Sequence, residues 1–290
     1  MALPHQPKIG SSIKRCFHRA SYSCIILMWT CTDFKKTRLG DTHSSGGLSV
    51  KRIQSLLTTG LIVLLAHSIA LCACCSAPGE STAAQDNTLS AEEIANGWKL
   101  LFDGRTLSGW GCTEANSKGW VVENGTIHYN KQGGGYLYTK ERFRDFELKI
   151  DFMVDRGTNS GIFFRWDNLS DPVQTGIEMQ VLDSAGKKKP GKHDCGAIYD
   201  VLEPTENAMK PAFEWNTVLI RCRGPFITIT MNGERIISMN LDNYKEPHKN
   251  LDGTRNKFAT AYKDMPREGH IGLQAHGGKV WYKNIKIREL

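Results

Sequence analysis

Asn159 to Asp183 reads NSGIFFRWDNLSDPVQTGIEMQVLD, and the fold turns on how its side chains alternate. Successive side chains of a strand point to opposite faces of a sheet. In the second half, Ile177, Met179 and Val181 therefore share one face, and Glu178 and Gln180 the other. In the first half, Ile162 and Phe164 share a face, while Asn159, Phe163 and Arg165 share the opposite one. An ordinary wet sheet face accounts for any one of these polar residues. A face that mixes an amide, a guanidinium, a carboxylate and aromatic rings suits a sugar better, which needs directional hydrogen bonds and flat apolar surface.

The same period of two recurs along the chain. Phe146, Leu148, Ile150, Phe152 and Val154 alternate with Glu147, Lys149, Asp151 and Met153, which gives one buried face. Val218, Ile220 and Cys222 alternate likewise, as do Ile227, Ile229 and Met231, and a last strand runs through Val280 to Ile287. Asn124-Gly125 and Asn232-Gly233 are tight hairpin signals, because these residues tolerate positive φ. No helical period of useful length lies between the strands. The expected fold is all-β, a two-sheet antiparallel jelly-roll sandwich. One short helix is expected upstream: Ser90-Ala-Glu-Glu93 is a capping box, the helix stops at Gly97, and it covers one end of the sandwich. Two long irregular stretches, 183–195 and 241–268, are expected to wall a cleft. The run Lys187-Lys188-Lys189 reads as solvated.

The 290 residues divide unevenly. Residues 51–74 read as a lipoprotein signal peptide: Lys51 and Arg52 start it, Leu56 to Leu71 is apolar, and Leu71-Cys72-Ala73-Cys74 resembles a lipobox. A lipid thioether at Cys74 would tie the protein to a membrane through buried methylenes. Cys75 follows the lipid site where an Asp would signal retention in an inner membrane. The expectation is an exported, lipid-anchored protein of the bacterial envelope, on the outer membrane facing the periplasm. Residues 1–50 lack this logic and are read as an N-terminal extension from an over-early start, with Val50 a candidate GTG start. Residues 75–96 read as a flexible tether and the short helix, and 97–290 as the sandwich domain. Residues 1–73 hold nine Lys and Arg and two acids, which leaves 28 of each in the remainder (37 less 9, 30 less 2). The formal charge of +7 thus belongs to the leader, and nucleic-acid binding, which needs a clustered basic footprint, is not expected. Beyond the lipid site, Cys75, Cys112, Cys195 and Cys222 fit either a disulfide or buried free thiols.

NSGIFFR, GIEMQVLD, GAIYDVLEPTENAMKPAFEWN, MNGERI and GHIGLQAHGGKVWYKNIKIREL, with WKLLFDGRTLSGW upstream, resemble the 3-keto-disaccharide hydrolase family over about Gly97 to Leu290. The resemblance implies a fold similar to concanavalin-A-like lectins and glucanases. It also implies an oxidised carbohydrate substrate, a glycoside already carrying a ketone at C3. That ketone acidifies the C2 hydrogen, so loss of the proton can expel the C1 group by elimination, after which water adds back. Such a site needs a base near C2 and a positive or hydrogen-bonding group near the C3 oxygen. On the matching motifs, Glu178 and His276 are the candidate bases and Arg165 the group for the enolate oxygen. Asn159, Gln180, Lys210 and Gln274 are candidates for holding sugar hydroxyls, and Tyr199 and Trp215 for stacking on the ring. A divalent metal is a candidate cofactor, with Glu178, Asp183, His193, Asp194 and His276 as oxygen and nitrogen donors, although their spacing matches no self-sufficient motif. Ala275 stands between Gln274 and His276 where the family pattern carries an acid.

Two rivals share this fold. A retaining endoglycosidase needs two carboxylates about 5.5 Å apart. The string Glu178-Met-Gln180-Val-Leu-Asp183 puts an amide where the usual Glu-x-Asp-x-x-Glu pattern has an acid. A non-catalytic carbohydrate-binding module is the other, since fold does not fix function. The sequence leaves the oligomeric state open.

Overall fold

A computed structural model of the chain describes residues 85–115 and 117–290, which fall within one compact unit, Glu80–Leu290. The expected signal peptide and its lipid site at Cys74 lie outside the described residues. Thirteen strands, two short α-helices and three single-turn 3-10 helices (Ser117–Gly119, Leu241–Asn243 and Tyr262–Asp264) account for the regular structure among the described residues. The strands are β1 (Lys99–Leu100), β2 (Trp110–Cys112), β3 (Trp120–Glu123), β4 (Thr126–Tyr129), β5 (Leu137–Thr139), β6 (Phe146–Val154), β7 (Asn159–Trp166), β8 (Ile177–Leu182), β9 (Asn216–Arg223), β10 (Phe226–Met231), β11 (Glu234–Asn240), β12 (His270–Leu273) and β13 (Val280–Glu289). The α-helices are α1 (Ala91–Ala95) and α2 (Pro172–Thr175).

The strands pair antiparallel in two sheets, the jelly-roll sandwich that the alternation predicts. An eight-stranded sheet runs β11-β10-β9-β6-β13-β4-β3, with β1 beside β13, and a five-stranded sheet runs β2-β5-β12-β7-β8. The apolar phase of each strand faces the other sheet. Phe146, Leu148, Ile150, Phe152 and Val154 of β6 are fully buried, as are Ile162, Phe164, Ile177, Met179 and Val181 of β7 and β8. Asn124 and Gly125 have φ of +50° and +72°, and Asn232 and Gly233 +52° and +94°, so both hairpins close on primed turns.

The alternation breaks once where it matters. Phe163 of β7 pairs with Gly272 of β12, and Trp166 with His270, so three steps on β7 oppose two on β12. This is a β-bulge. Arg165 lies within it, at a φ of +49°. The extra residue turns Trp166 onto the same face as Phe163, and the two rings lie 5.9 Å apart. Arg165 is turned away and fully buried. Its guanidinium donates to Arg144 O (3.0 Å), Gly224 O (2.8 Å) and the Asp145 carboxylate (3.0 Å).

Ser90 caps α1 and Glu93 closes the box, as its spacing predicts. The helix does not cover an end of the sandwich. Glu93 is tied to Lys286 of β13 at 2.8 Å, which holds α1 against the outer face of the eight-stranded sheet. A depression of about 750 Å³ lies there, lined by Glu93, Lys149, Asp151, Lys286 and others; Glu93 pairs with Lys286, and the Asp151 carboxylate accepts from Asn284 Nδ2 (2.7 Å). Of the segment expected to be a flexible tether, Asp86 and Asn87 are anchored: the Asn87 backbone N–H donates to Asn284 Oδ1 (2.6 Å), and Asp86 pairs with Lys283. Cys112, Cys195 and Cys222 are free thiols, the last two buried.

Candidate functional site

A cleft of about 150 Å³ opens on the outer face of the five-stranded sheet. Tyr136, Asn159, Val173, Glu178, Gln180, Tyr199, Lys257, Gln274 and His276 line it. The register of β7 on β8 sets its floor. Phe163 lies opposite Glu178, and Gly161 opposite Gln180. Gly161 leaves the room that the carboxylate fills: a Cβ there would stand 2.2 Å from Glu178 Oε1. The backbone N–H of Gln274, just past β12, donates to Gly161 O (2.9 Å), which brings its side chain to the same floor. On the far side of β8 the chain returns alongside it. Gln180 N–H donates to Ala197 O (2.9 Å) and Tyr199 N–H to Glu178 O (3.0 Å), so the chain at Tyr199 runs beside Glu178, and Tyr199 joins the lining.

Glu178 is the only carboxylate among the cleft-lining residues, and it is 6 % exposed. Burial lifts its pKa from 4.5 to about 7; the nearby Lys257 charge and a hydrogen bond from Gln274 oppose the rise. The Gln180 amide, oriented so that its nitrogen meets acceptors, donates to Glu178 Oε1 and Ser160 O, both at 3.3 Å. Gln274 also donates toward the Tyr136 oxygen, while its own buried Oε1 has no protein partner. An unpaired buried acceptor is costly, and this one belongs to a side chain of the cleft lining. Burial also raises the Tyr136 phenol, with the Glu178 charge adding to the effect. Beside the floor, Tyr136, Tyr138, Phe163 and Trp166 form an aromatic cluster, with ring centroids 5.5 to 6.1 Å apart; Phe163 and Trp166 are fully buried, and Tyr136 lines the cleft.

Of the residues expected from sequence, the cleft gathers Asn159, Glu178, Gln180, Tyr199, Gln274 and His276, the last exposed at the rim. It does not gather the others. Arg165 is consumed in the bulge. Lys210 and Trp215 precede β9 in the other sheet, where Lys210 Nζ donates to Trp215 O (3.0 Å) and Lys283 Nζ lies 4.5 Å over the Trp215 ring. Asp183 accepts from Gly157 N–H (2.9 Å), and His193 pairs with Asp200 (2.9 Å), so neither joins Glu178. Among the described residues no three His, Cys, Asp or Glu side chains gather to hold a metal ion, so the donor set does not fit a resident metal. The Tyr199 ring also meets the His193 ring (4.9 Å) and the Lys257 ammonium (4.1 Å). Tyr136, Val173 and Lys257 escaped the sequence reading. Lys257 belongs to the long 241–268 stretch expected to wall the cleft, and it does so. The 183–195 stretch contributes no lining residue.

A β-sandwich with a small polar cleft and aromatic walls on one outer face defines a class of carbohydrate-acting protein. The family profile described as a 3-keto-alpha-glucoside-1,2-lyase-like domain matches residues 97–288, and the chain belongs to that family. A 3-keto-disaccharide hydrolase of Bacteroides thetaiotaomicron is 28 % identical over 243 residues, 72 % of this chain and 83 % of the relative. A solved structure of a candidate glycosyl hydrolase from Parabacteroides distasonis superposes with a TM-score of 0.61 at 32 % identity, covering 67 % of this chain and all of that one. A second candidate glycosyl hydrolase from the same organism gives 0.59 at 27 % identity, covering 71 % of this chain and all of that one. These relatives place the chain among glycosyl-hydrolase-type enzymes.

Proposed function

We propose that this protein cleaves a glycoside bearing a ketone at C3, by elimination followed by hydration. Glu178 takes the C2 proton. The C–H electron pair forms the enolate, with negative charge on the C3 oxygen. Re-formation of the ketone then pushes that pair into a C1–C2 double bond and breaks the bond from C1 to the leaving oxygen, which takes a proton from the rim. His276 stands at that rim, and an imidazole carries protons readily near neutral pH. Water adds to C1 and a proton returns to C2, giving the free 3-keto sugar. Asn159, Gln180 and Gln274 supply amide donors and acceptors for the remaining hydroxyls.

The observation that carries this reading is the single desolvated carboxylate on the cleft floor, with a pKa of about 7. A base poised near the working pH suits removal of a proton already acidified by a ketone. A two-carboxylate glycosidase needs a second acid within about 5.5 Å, and the lining offers none. Turnover of a 3-keto-glucoside in deuterium oxide tests the proposal. Deuterium is expected at C2 of the product, and Glu178→Gln is expected to lose about 10²–10⁴-fold in rate. Hydrolysis with the original C2 hydrogen retained would replace elimination with direct cleavage. Calorimetric binding of unoxidised sugars without any turnover would make the protein a binding module.

We also infer export with a lipid on Cys74, on the pattern of residues 51–74. Mass spectrometry of the mature N-terminus checks this. An unmodified Cys74, or a mature peptide from residues 1–49, would sink it.

A further inference from the structure

Removing a proton next to a ketone requires a group to meet the charge that builds on the oxygen, and the bulge has taken Arg165 out of reach. We propose that Lys257 is a catalytic residue that holds the C3 oxygen through its ammonium, and that Asp200 is the positioning residue that fixes it there. The inference rests on the reading of this cleft as one acting on 3-keto sugars.

Lys257 is the only cation of Lys or Arg type among the lining residues, and its charge is felt at Glu178 across the cleft. A base and a cation facing one small cavity are what enolisation needs: the proton leaves C2 toward one, and the electron pair arrives on oxygen beside the other. The lysine sits on a loop, yet its backbone is clamped from both sides. Its N–H donates to Asp200 Oδ2 (2.8 Å), and its carbonyl accepts from Gln174 Nε2 (3.3 Å) on α2. Gln174 Oε1 also accepts from Ala259 N–H (2.9 Å), which fastens the next turn of the loop. The other Asp200 oxygen meets His193 Nε2 (2.9 Å), and the His193 ring packs on Tyr199 at 4.9 Å. Tyr199 in turn holds the Lys257 ammonium 4.1 Å from its ring centroid. Asp200 itself adopts a φ of +64°, which Asp tolerates better than most residues, and its carbonyl accepts from Asn250 (3.0 Å). One acid thus ties the loop, the imidazole and, through Tyr199, the head of the lysine. This assigns Tyr199 to steering the cation, with its ring already occupied, in place of lying under a sugar.

Turnover and C2 proton exchange of a 3-keto-glucoside by the full protein test this. Lys257 is exposed, so Lys257→Met is expected to fold normally. It should lose about 10²–10³-fold in kcat, the usual effect of removing one oxyanion donor, and slow C2 exchange by the same factor. Lys257→Arg should recover part of the loss. Removing the positive charge should also move the acid limb of the kcat/KM profile to higher pH, since Lys257 favours ionised Glu178. Asp200→Asn should lower kcat more than it raises KM, and slow C2 exchange with it. If Lys257→Met exchanges C2 at the wild-type rate while wild type turns the sugar over, the lysine has no such role and the reading of the cleft survives. If Asp200→Asn lowers only the melting temperature, Asp200 is structural and its positioning role is lost. If wild type fails on every 3-keto-glycoside offered, the reading of the cleft falls, and this assignment with it.

Discussion

At the residue scale, Glu178 couples function to stability. Its carboxyl is lifted from 4.5 to about 7, so ionising it in the fold costs about 3 kcal/mol more than ionising it in the unfolded chain. The folded state is therefore favoured while the group is protonated, and that advantage is lost as pH rises from about 4.5 through about 7. Glu178→Gln should melt higher than wild type at pH 8, with the gap closing near pH 5; a melting series over that range checks it. Catalysis runs the opposite way, because the base works ionised. The residue needed for turnover is thus one the fold would hold more easily uncharged. Arg165 shows the converse case. It has no route to the cleft, and removing its partner would strand a buried charge. Asp145→Ala should lower stability by about 3 kcal/mol in denaturant titration. Arg165→Lys should cost stability, yet leave kcat unchanged in the protein that remains folded. A loss of kcat there would return Arg165 to the site.

At the element scale, the cleft is built by what strands omit as much as by what they present. Gly161 lies within a fully paired stretch of β7 and serves to make room for the carboxylate opposite. Gly161→Ala should displace Glu178, and a crystal structure should show its carboxylate moved with β7 and β8 still paired. Turnover should fall with it. The bulge at Arg165 works on the other end of the same strand, where it exchanges a charged side chain for the Trp166 ring on the cleft side. Gly272 then accepts that ring from below, since a Cβ there would stand 2.8 Å from it.

At the scale of the whole molecule, the two sheets seal the remaining thiols. Burial pushes both Cys195 and Cys222 up to about 12, so neither offers a thiolate at neutral pH. In native protein, mass-spectrometric mapping after treatment with a thiol reagent should find Cys112 modified ahead of both. Cys195 and Cys222 should react only as the sandwich unfolds. Early labelling of either would mean that the core opens locally.

The alternation of apolar side chains, two Asn-Gly turns and a capping box determined the strands, the hairpins and α1, because these depend on near neighbours in the chain. The same period placed Glu178 and Gln180 together on the polar face, and that phase held throughout β8. It misplaced Arg165, because a bulge adds one residue and reverses every side chain beyond it, and bulge position is set by the partner strand β12. Motif membership drew in Lys210 and Trp215, but only the sheet to which β9 belongs decides which side of the molecule they occupy. Lys257 was hidden for a related reason. It lies 79 positions after Glu178 in an irregular loop, and what brings it to the cleft is a carboxylate at Asp200 and an amide at Gln174, contacts between distant segments that exist only once the sandwich has closed.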